Sequence, residues 1–179
     1  WYTITVDGYS VTALAATIEV IKGTDSVKTA PTATNPIYTG DALKLVTEGK
    51  GLHGEMRYKL DNGEWQANIP TATEAGEYKV YYKSIGNANF EESEEGCVTA
   101  TIARRDISGA EVTLGAQLTY NTKEQAQEVE SVTLADYGNV ETYIVTNNTA
   151  TEVGTDYELT VTGTGNFTGS VKAGFSVAA

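Results

Sequence analysis

The sequence predicts an all-β chain folded as small β-sandwiches in tandem. Three observations predict it: an internal repeat of about 78 residues, side chains that alternate with period two, and no 3.6-residue apolar stripe. The clearest part of the repeat is Thr71-Ala72-Thr73-Glu74-Ala75-Gly76. It recurs as Thr149-Ala150-Thr151-Glu152-Val153-Gly154, five of six residues identical and 78 positions on. Such spacing marks one structural unit used twice.

The repeat extends on both sides. Tyr78-Lys79-Val80-Tyr81-Tyr82 aligns with Tyr157-Glu158-Leu159-Thr160-Val161 after a one-residue insertion, and Gly86-Asn87-Ala88-Asn89-Phe90 with Gly165-Asn166-Phe167. Closing strands follow in each copy, Val98-Thr99-Ala100-Thr101-Ile102 and Ala173-Gly174-Phe175-Ser176-Val177. The openings match more loosely, Ile37-Tyr38-Thr39-Gly40 against Thr119-Tyr120-Asn121-Thr122. These limits give units at 25–103 and 104–179. Residues 1–24 form a β-hairpin in this reading, the end of a truncated preceding repeat or an addition to the first unit. In it, Tyr2-Thr3-Ile4-Thr5-Val6 fits the penultimate strand and Ala16-Thr17-Ile18-Glu19-Val20 the closing one. The first residue is Trp1, which predicts a processed or excised piece.

Each element follows from alternation. Tyr78, Val80 and Tyr82 point one way and Lys79, Tyr81 and Lys83 the other, as a strand with one buried face requires. Tyr157, Leu159 and Val161 do the same against Glu158, Thr160 and Thr162. Asp61-Asn62-Gly63-Glu64 predicts a hairpin turn, because Asn-Gly accepts the positive φ angles of type I′. That turn pairs Leu60 with Trp65 and Tyr58 with Ala67, placing Met56, Tyr58, Leu60 and Trp65 inward. Gln117–Val132 is the best helical candidate, but Thr119, Tyr120, Asn121 and Thr122 interrupt it. Six or seven short strands per unit suit a sandwich, or a barrel by strand count alone. A Tyr just after a Gly turn, Tyr78 or Tyr157, favours the sandwich, as a tyrosine corner.

The segments Tyr38-Thr39-Gly40, Tyr58–Trp65 and Ile69–Tyr78 together resemble tandem bacterial immunoglobulin-like repeats. The second unit keeps Thr149–Gly154, Tyr157 and Gly163–Gly169 but lacks the Asn-Gly hairpin and its Trp. The likeness covers about residues 25–179 and consists of turn and core residues. It implies immunoglobulin-like β-sandwiches in an extracellular stalk or adhesin segment of a cell-surface or secreted protein. Partners would be neighbouring domains of that protein, and a host glycan or matrix protein if it binds one.

Composition narrows the chemistry. The 179 residues carry 12 Lys and Arg, 24 Asp and Glu, one His, one Cys and a net charge of −12. By segment the charge is −1 over 1–24, −5 over 25–103 and −6 over 104–179, an even, solubilising spread. That balance argues against nucleic acid, whose phosphates need clustered cations. A hydrophobic fraction of 40% suits packed cores, and no apolar run reaches the roughly 20 residues of a membrane helix. Cys97 alone forms neither an internal disulfide nor a Cys-built zinc site, and its acidic neighbours raise rather than lower a thiol pKa. His53 is the one imidazole and reads as an exposed loop residue, so no nucleophile, base and acid converge.

The chain therefore reads as non-enzymatic, with no catalytic, cofactor or metal residues. The run Glu91-Glu92-Ser93-Glu94-Glu95 reads as a solvated face, without the Asp spacing of a calcium loop. Gly163-Thr164-Gly165 is a turn with no helix after it to hold a phosphate. Lys44 could cross-link to Asn or Asp only if it pointed inward, and its alternation with Leu43 and Leu45 turns it outward. Exposed aromatics are the candidate ligand-binding residues, in the manner of sugar-stacking sandwiches: Tyr81, Phe90, Tyr137 and Tyr143, with Trp1 a further candidate. The short linker Ala103-Arg104-Arg105-Asp106 predicts restricted hinge motion between the units.

Overall fold

The computed structural model describes residues 19–179 in full and the strands Tyr2–Val6 and Tyr9–Ala13 by their pairing. The protein is all-β, an immunoglobulin-like β-sandwich architecture, and no described residue is helical. Apart from the pairing of Tyr2–Val6 with Tyr9–Ala13, the described strand pairings fall into two closed sets, one within residues 23–103 and one within 105–178.

In the first set Gly76–Ser84 is central, antiparallel to Met56–Leu60 on one side and Gly96–Ile102 on the other. Ile37 bridges Ala103 in parallel at the edge. The facing layer is made of short pairs: Val27–Thr29 with Lys50–Gly51, and Leu43–Lys44 with Thr71–Ala72. Leu45, Val46, Met56, Tyr58, Val80, Ala100 and Ile102 fill the space between. The second set repeats this plan. Leu118–Thr119, Ser170–Ala178, Gly154–Gly163 and Tyr143–Thr146 form one sheet in that order. Glu111–Leu114, Val129–Leu134 and Gly138–Asn139 form the other. Val132, Val140, Leu159, Val161, Phe175 and Val177 are its core.

Equivalent positions take equivalent roles. The Tyr78 hydroxyl donates to the Glu74 carbonyl at 2.7 Å and the Tyr157 hydroxyl to the Glu152 carbonyl at 3.0 Å, so both tyrosine corners form. Tyr78 faces Ala100 and Tyr157 faces Phe175. The extra residue between Gly154 and Tyr157 is absorbed as a β-bulge, where the register shifts by one against Val177 and Phe175.

Two expectations need correction. The hairpin turn after Leu60 sits one residue earlier than Asn-Gly suggests. Gly63 N–H donates to the Leu60 carbonyl at 2.8 Å, and Asp61, not Gly63, has the positive φ, of 46°. Asp61 is held there by the neighbouring strand: its N–H donates to Lys79 O at 2.8 Å, and Lys79 N–H to its carboxylate at 3.1 Å. Tyr58 consequently pairs with Gln66 rather than Ala67. A slip of one residue turns a side chain to the other face, so Trp65 lies outside the core. The second concerns only the partner strand of the N-terminal hairpin; the hairpin itself is present. Tyr2–Val6 pairs with Tyr9–Ala13, Tyr2 opposite Ala13. Ala16, Thr17 and Ile18 of the expected closing strand lie outside the described residues, and Glu19 and Val20 are exposed and outside any strand.

Candidate functional site

The two sets of strands meet where the linker predicts a joint. Arg105–Asp106 pairs in parallel with Phe167–Thr168, and Ile107 N–H continues the ladder to the Thr168 carbonyl at 2.9 Å. This docks the start of the second unit against its own Gly163–Gly169 turn. Ile107 is fully buried there. Phe167 is thereby buried at the pole that faces the first unit.

Tyr38 covers that pole. It follows the Ile37 bridge, and its N–H donates to the Ala103 carbonyl at 2.9 Å. Its ring meets Phe167 edge-on at 5.6 Å and Tyr137 at 6.0 Å, while Tyr137 meets Phe167 edge-on at 5.5 Å. Tilted and T-shaped contacts suit the aromatic quadrupole. Tyr38 keeps 8% of its surface exposed.

Polar groups close the rim. Arg105 Nε donates to the Tyr38 carbonyl at 2.9 Å, and its Nη1 pairs with Asp136 Oδ2 at 2.8 Å. The guanidinium lies 5.0 Å from the Tyr137 ring centroid, a cation–π distance. Across the joint, Ala75 N–H donates to Asn166 Oδ1 at 2.8 Å, and Asn166 Nδ2 donates to the Glu74 carboxylate. Gly40 supplies the left-handed turn beside Tyr38, at φ 82°, and the Tyr137 hydroxyl lies at ordinary contact distance, 3.5 Å, from where a Cβ would stand. That hydroxyl donates to Glu141 at 2.9 Å. Burial, then the Tyr38 hydroxyl and the Glu141 carboxylate, push the Tyr137 pKa well above the ordinary phenol value.

A second feature lies on the outer face of the first unit's three-stranded sheet. Trp65 joins Tyr81 there. Lys59 Nζ sits 4.8 Å from the Trp65 ring and 4.9 Å from the Tyr81 ring, and Lys83 Nζ 4.6 Å from Trp65. Glu92 holds Lys83 at 2.8 Å and Glu95 holds Lys59 at 4.0 Å. The rings are thus already in contact with cations of this chain.

The four candidate ligand residues do not converge. Tyr81 lies on the outer sheet face. Phe90 stacks on His53 at 3.8 Å and 8° at the far pole of the first unit. Tyr137 belongs to the joint, and Tyr143 opens an edge strand of the second unit. Trp1 lies outside the described residues. Cys97 is exposed, opposite Tyr81, and Lys44 is exposed, so both point outward. Among the described residues, no three His, Cys, Asp or Glu side chains group as a metal site.

The sequence marks Tyr38, Asn166 and Phe167 only as repeat positions and Arg105 only as a linker residue, with no role in a site. Their signal was the Asn-Phe pair that each unit carries before its closing strand, and the Arg that sits in the linker. A buried polar plug is unmarked as well. Asp25, 4% exposed, accepts from the Ser84 hydroxyl, from His53 N–H at 3.1 Å and from Gly54 N–H at 2.9 Å. Asp25 N–H bonds Glu91 O just as Ile107 N–H bonds Thr168 O, so the plug replaces an apolar residue of the second unit.

Comparison with known proteins adds little to this geometry. No family model and no curated protein matches the chain. Among solved structures it is similar to fibronectin(III)-like modules of Clostridium thermocellum CbhA, at 13% identity and a TM-score of 0.25, over 86% of this chain and 95% of that one.

Proposed function

We propose that this chain is a non-enzymatic spacer segment of a larger extracellular, cell-surface or secreted bacterial protein, holding other domains at a set distance. One observation carries the reading: the joint has a buried centre, Tyr38 against Phe167, flanked by Tyr137 and closed at its rim by the hydrogen bonds of Arg105. A flexible linker exposes backbone and orders nothing; here the linker's own Arg105 ties both sides together. Fixed orientation is the property a spacer needs and a freely hinged pair lacks. The negative charge on both units adds mutual repulsion and solubility.

Small-angle X-ray scattering tests it. The expected result is a radius of gyration above the roughly 16 Å of one globular 179-residue domain, fitted by one arrangement of the units. Tyr38→Ala combined with Arg105→Ala should broaden that to a family of arrangements. A native chain that already needs such a family would sink the spacer reading.

The alternative reading is an adhesin or carbohydrate-binding module, and the meeting of Trp65 and Tyr81 on one face favours it. Saturable binding on a glycan array, abolished by Trp65→Ala, is the outcome that supports it; a blank array leaves the spacer.

A further inference from the structure

The second unit presents, at its opposite pole, the same half-joint that the first unit uses to seat its neighbour. Tyr120 occupies the place of Tyr38. Its N–H donates to the Ala178 carbonyl at 2.8 Å, as that of Tyr38 does to Ala103 at 2.9 Å. Both follow a parallel pairing to the closing strand, Ile37 with Ala103 and Thr119 with Ala178. Two residues on, Gly40 and Thr122 are both left-handed, at φ 82° and 68°. Glu152 and Val153 sit at the second tyrosine corner where Glu74 and Ala75 sit at the first.

The difference lies in what covers these groups. Tyr38 is 8% exposed under Tyr137 and Phe167; Tyr120 is 41% exposed and Val153 51%. An apolar ring and a Val held up to solvent beside a repeated hydrogen-bonding edge form a surface shaped by the chain's own interface. The joint pairs unlike surfaces, one pole against the other, and such a heterologous contact can repeat without closing.

We infer that the Tyr120–Val153 pole of the second unit is a docking face for the Arg105–Phe167 pole of another unit of this repeat. In that arrangement the incoming unit's counterparts of Tyr137 and Phe167 pack on Tyr120, its Arg105 counterpart donates to the Tyr120 carbonyl, and its Asn166 counterpart accepts from Val153 N–H. The pole departs from the first in three places: Thr122 stands at the left-handed position of Gly40, Val153 replaces Ala75, and the corner carries one more residue before its Tyr. The inference rests on the spacer reading and specifies its direction of growth.

The test appends a second copy of residues 105–179 directly to Ala179. Because Ala178 corresponds to Ala103, this places Arg105 in register for the new joint. Hydrogen exchange then reads the amide of Val153, with Ala75 of the existing joint as internal reference. The expected result is at least a tenfold slowing of Val153 exchange, about what a joint closed ten to one produces. Tyr120→Ala should abolish that slowing and leave Ala75 protected; Thr122→Gly should increase it. Unchanged Val153 exchange beside a protected Ala75 overturns the inference and leaves the spacer standing. Loss of protection at Ala75 in the native chain fells the spacer reading itself. Head-to-tail association of separate chains without seating of the appended unit assigns the face to self-assembly and also overturns the inference.

Discussion

At the scale of single residues, a few polar side chains inside apolar surroundings set the conditions under which the chain is stable. The Ser84 hydroxyl first, with the amides of Ser26, Gly54 and His53, holds the Asp25 pKa below its usual value against the opposing effect of burial. A carboxylate with a depressed folded pKa contributes stability above its unfolded pKa of about 3.9, and that contribution is lost as pH falls through the lower folded value. Thermal melts should therefore fall below about pH 4, more steeply for the native chain than for Asp25→Asn. At neutral pH the variant should melt lower, because an amide meets donors placed for a carboxylate. Gln127 plays a comparable part in the second unit, its Nε2 reaching the Gly115, Ala116 and Glu128 carbonyls at 3.2 to 3.3 Å. In the joint, Arg105→Lys cannot serve the Tyr38 carbonyl, Asp136 and the Tyr137 face together. A loss of about 1 kcal/mol in denaturant unfolding is expected, chiefly from the hydrogen bond to the Tyr38 carbonyl, since the exposed Asp136 stays solvated.

Turns decide the geometry of the elements. The shift at Asp61 places Trp65 against two lysines instead of in the core. In a Trp1→Phe background, removing both Lys59 and Lys83 as Ala should shift Trp65 emission to the red and increase its quenching by acrylamide. An inward Trp65 would show neither change. The loop at Gly86 makes a second case. Its φ is 67°, and a Cβ there would stand 2.3 Å from the Phe90 carbonyl oxygen. Gly86→Ala should cost at least about 1–2 kcal/mol from the left-handed backbone alone, with the clash in addition. Loss of the ring-current shift that Phe90 imposes on His53 would report it by NMR.

For the whole molecule, the joint makes one apolar cluster out of two sandwiches. Buried residues run from the Tyr58 and Val80 side through Tyr38 and Phe167 to Leu159 and Val161. Units coupled in this way share free energy, so calorimetry of the native chain should show one transition. Tyr38→Ala removes a buried aromatic, a change worth about 3–5 kcal/mol in cores. The variant should unfold in two transitions, each at the temperature of an uncoupled unit. A single unshifted transition would mean the aromatic contacts carry no coupling.

Much of the architecture was legible because it depends on local patterns. Alternation marked Gly76–Ser84 and Gly154–Gly163 as half-buried strands, and the repeat placed Tyr78 and Tyr157 at matching corners. The one-residue insertion before Tyr157 was visible as an insertion, and folding turned it into a bulge. What only the tertiary structure decided are contacts between segments far apart in sequence. Asp61 takes its turn geometry from Lys79, so no local rule could place Trp65 on the outer face. Tyr38 meets Phe167 across 129 positions, and Ala75 meets Asn166 across 91. Period-two alternation tells which face of its own strand a side chain takes. It carries no information about the surface that another unit brings against it, and that surface is where the candidate site of this protein is formed.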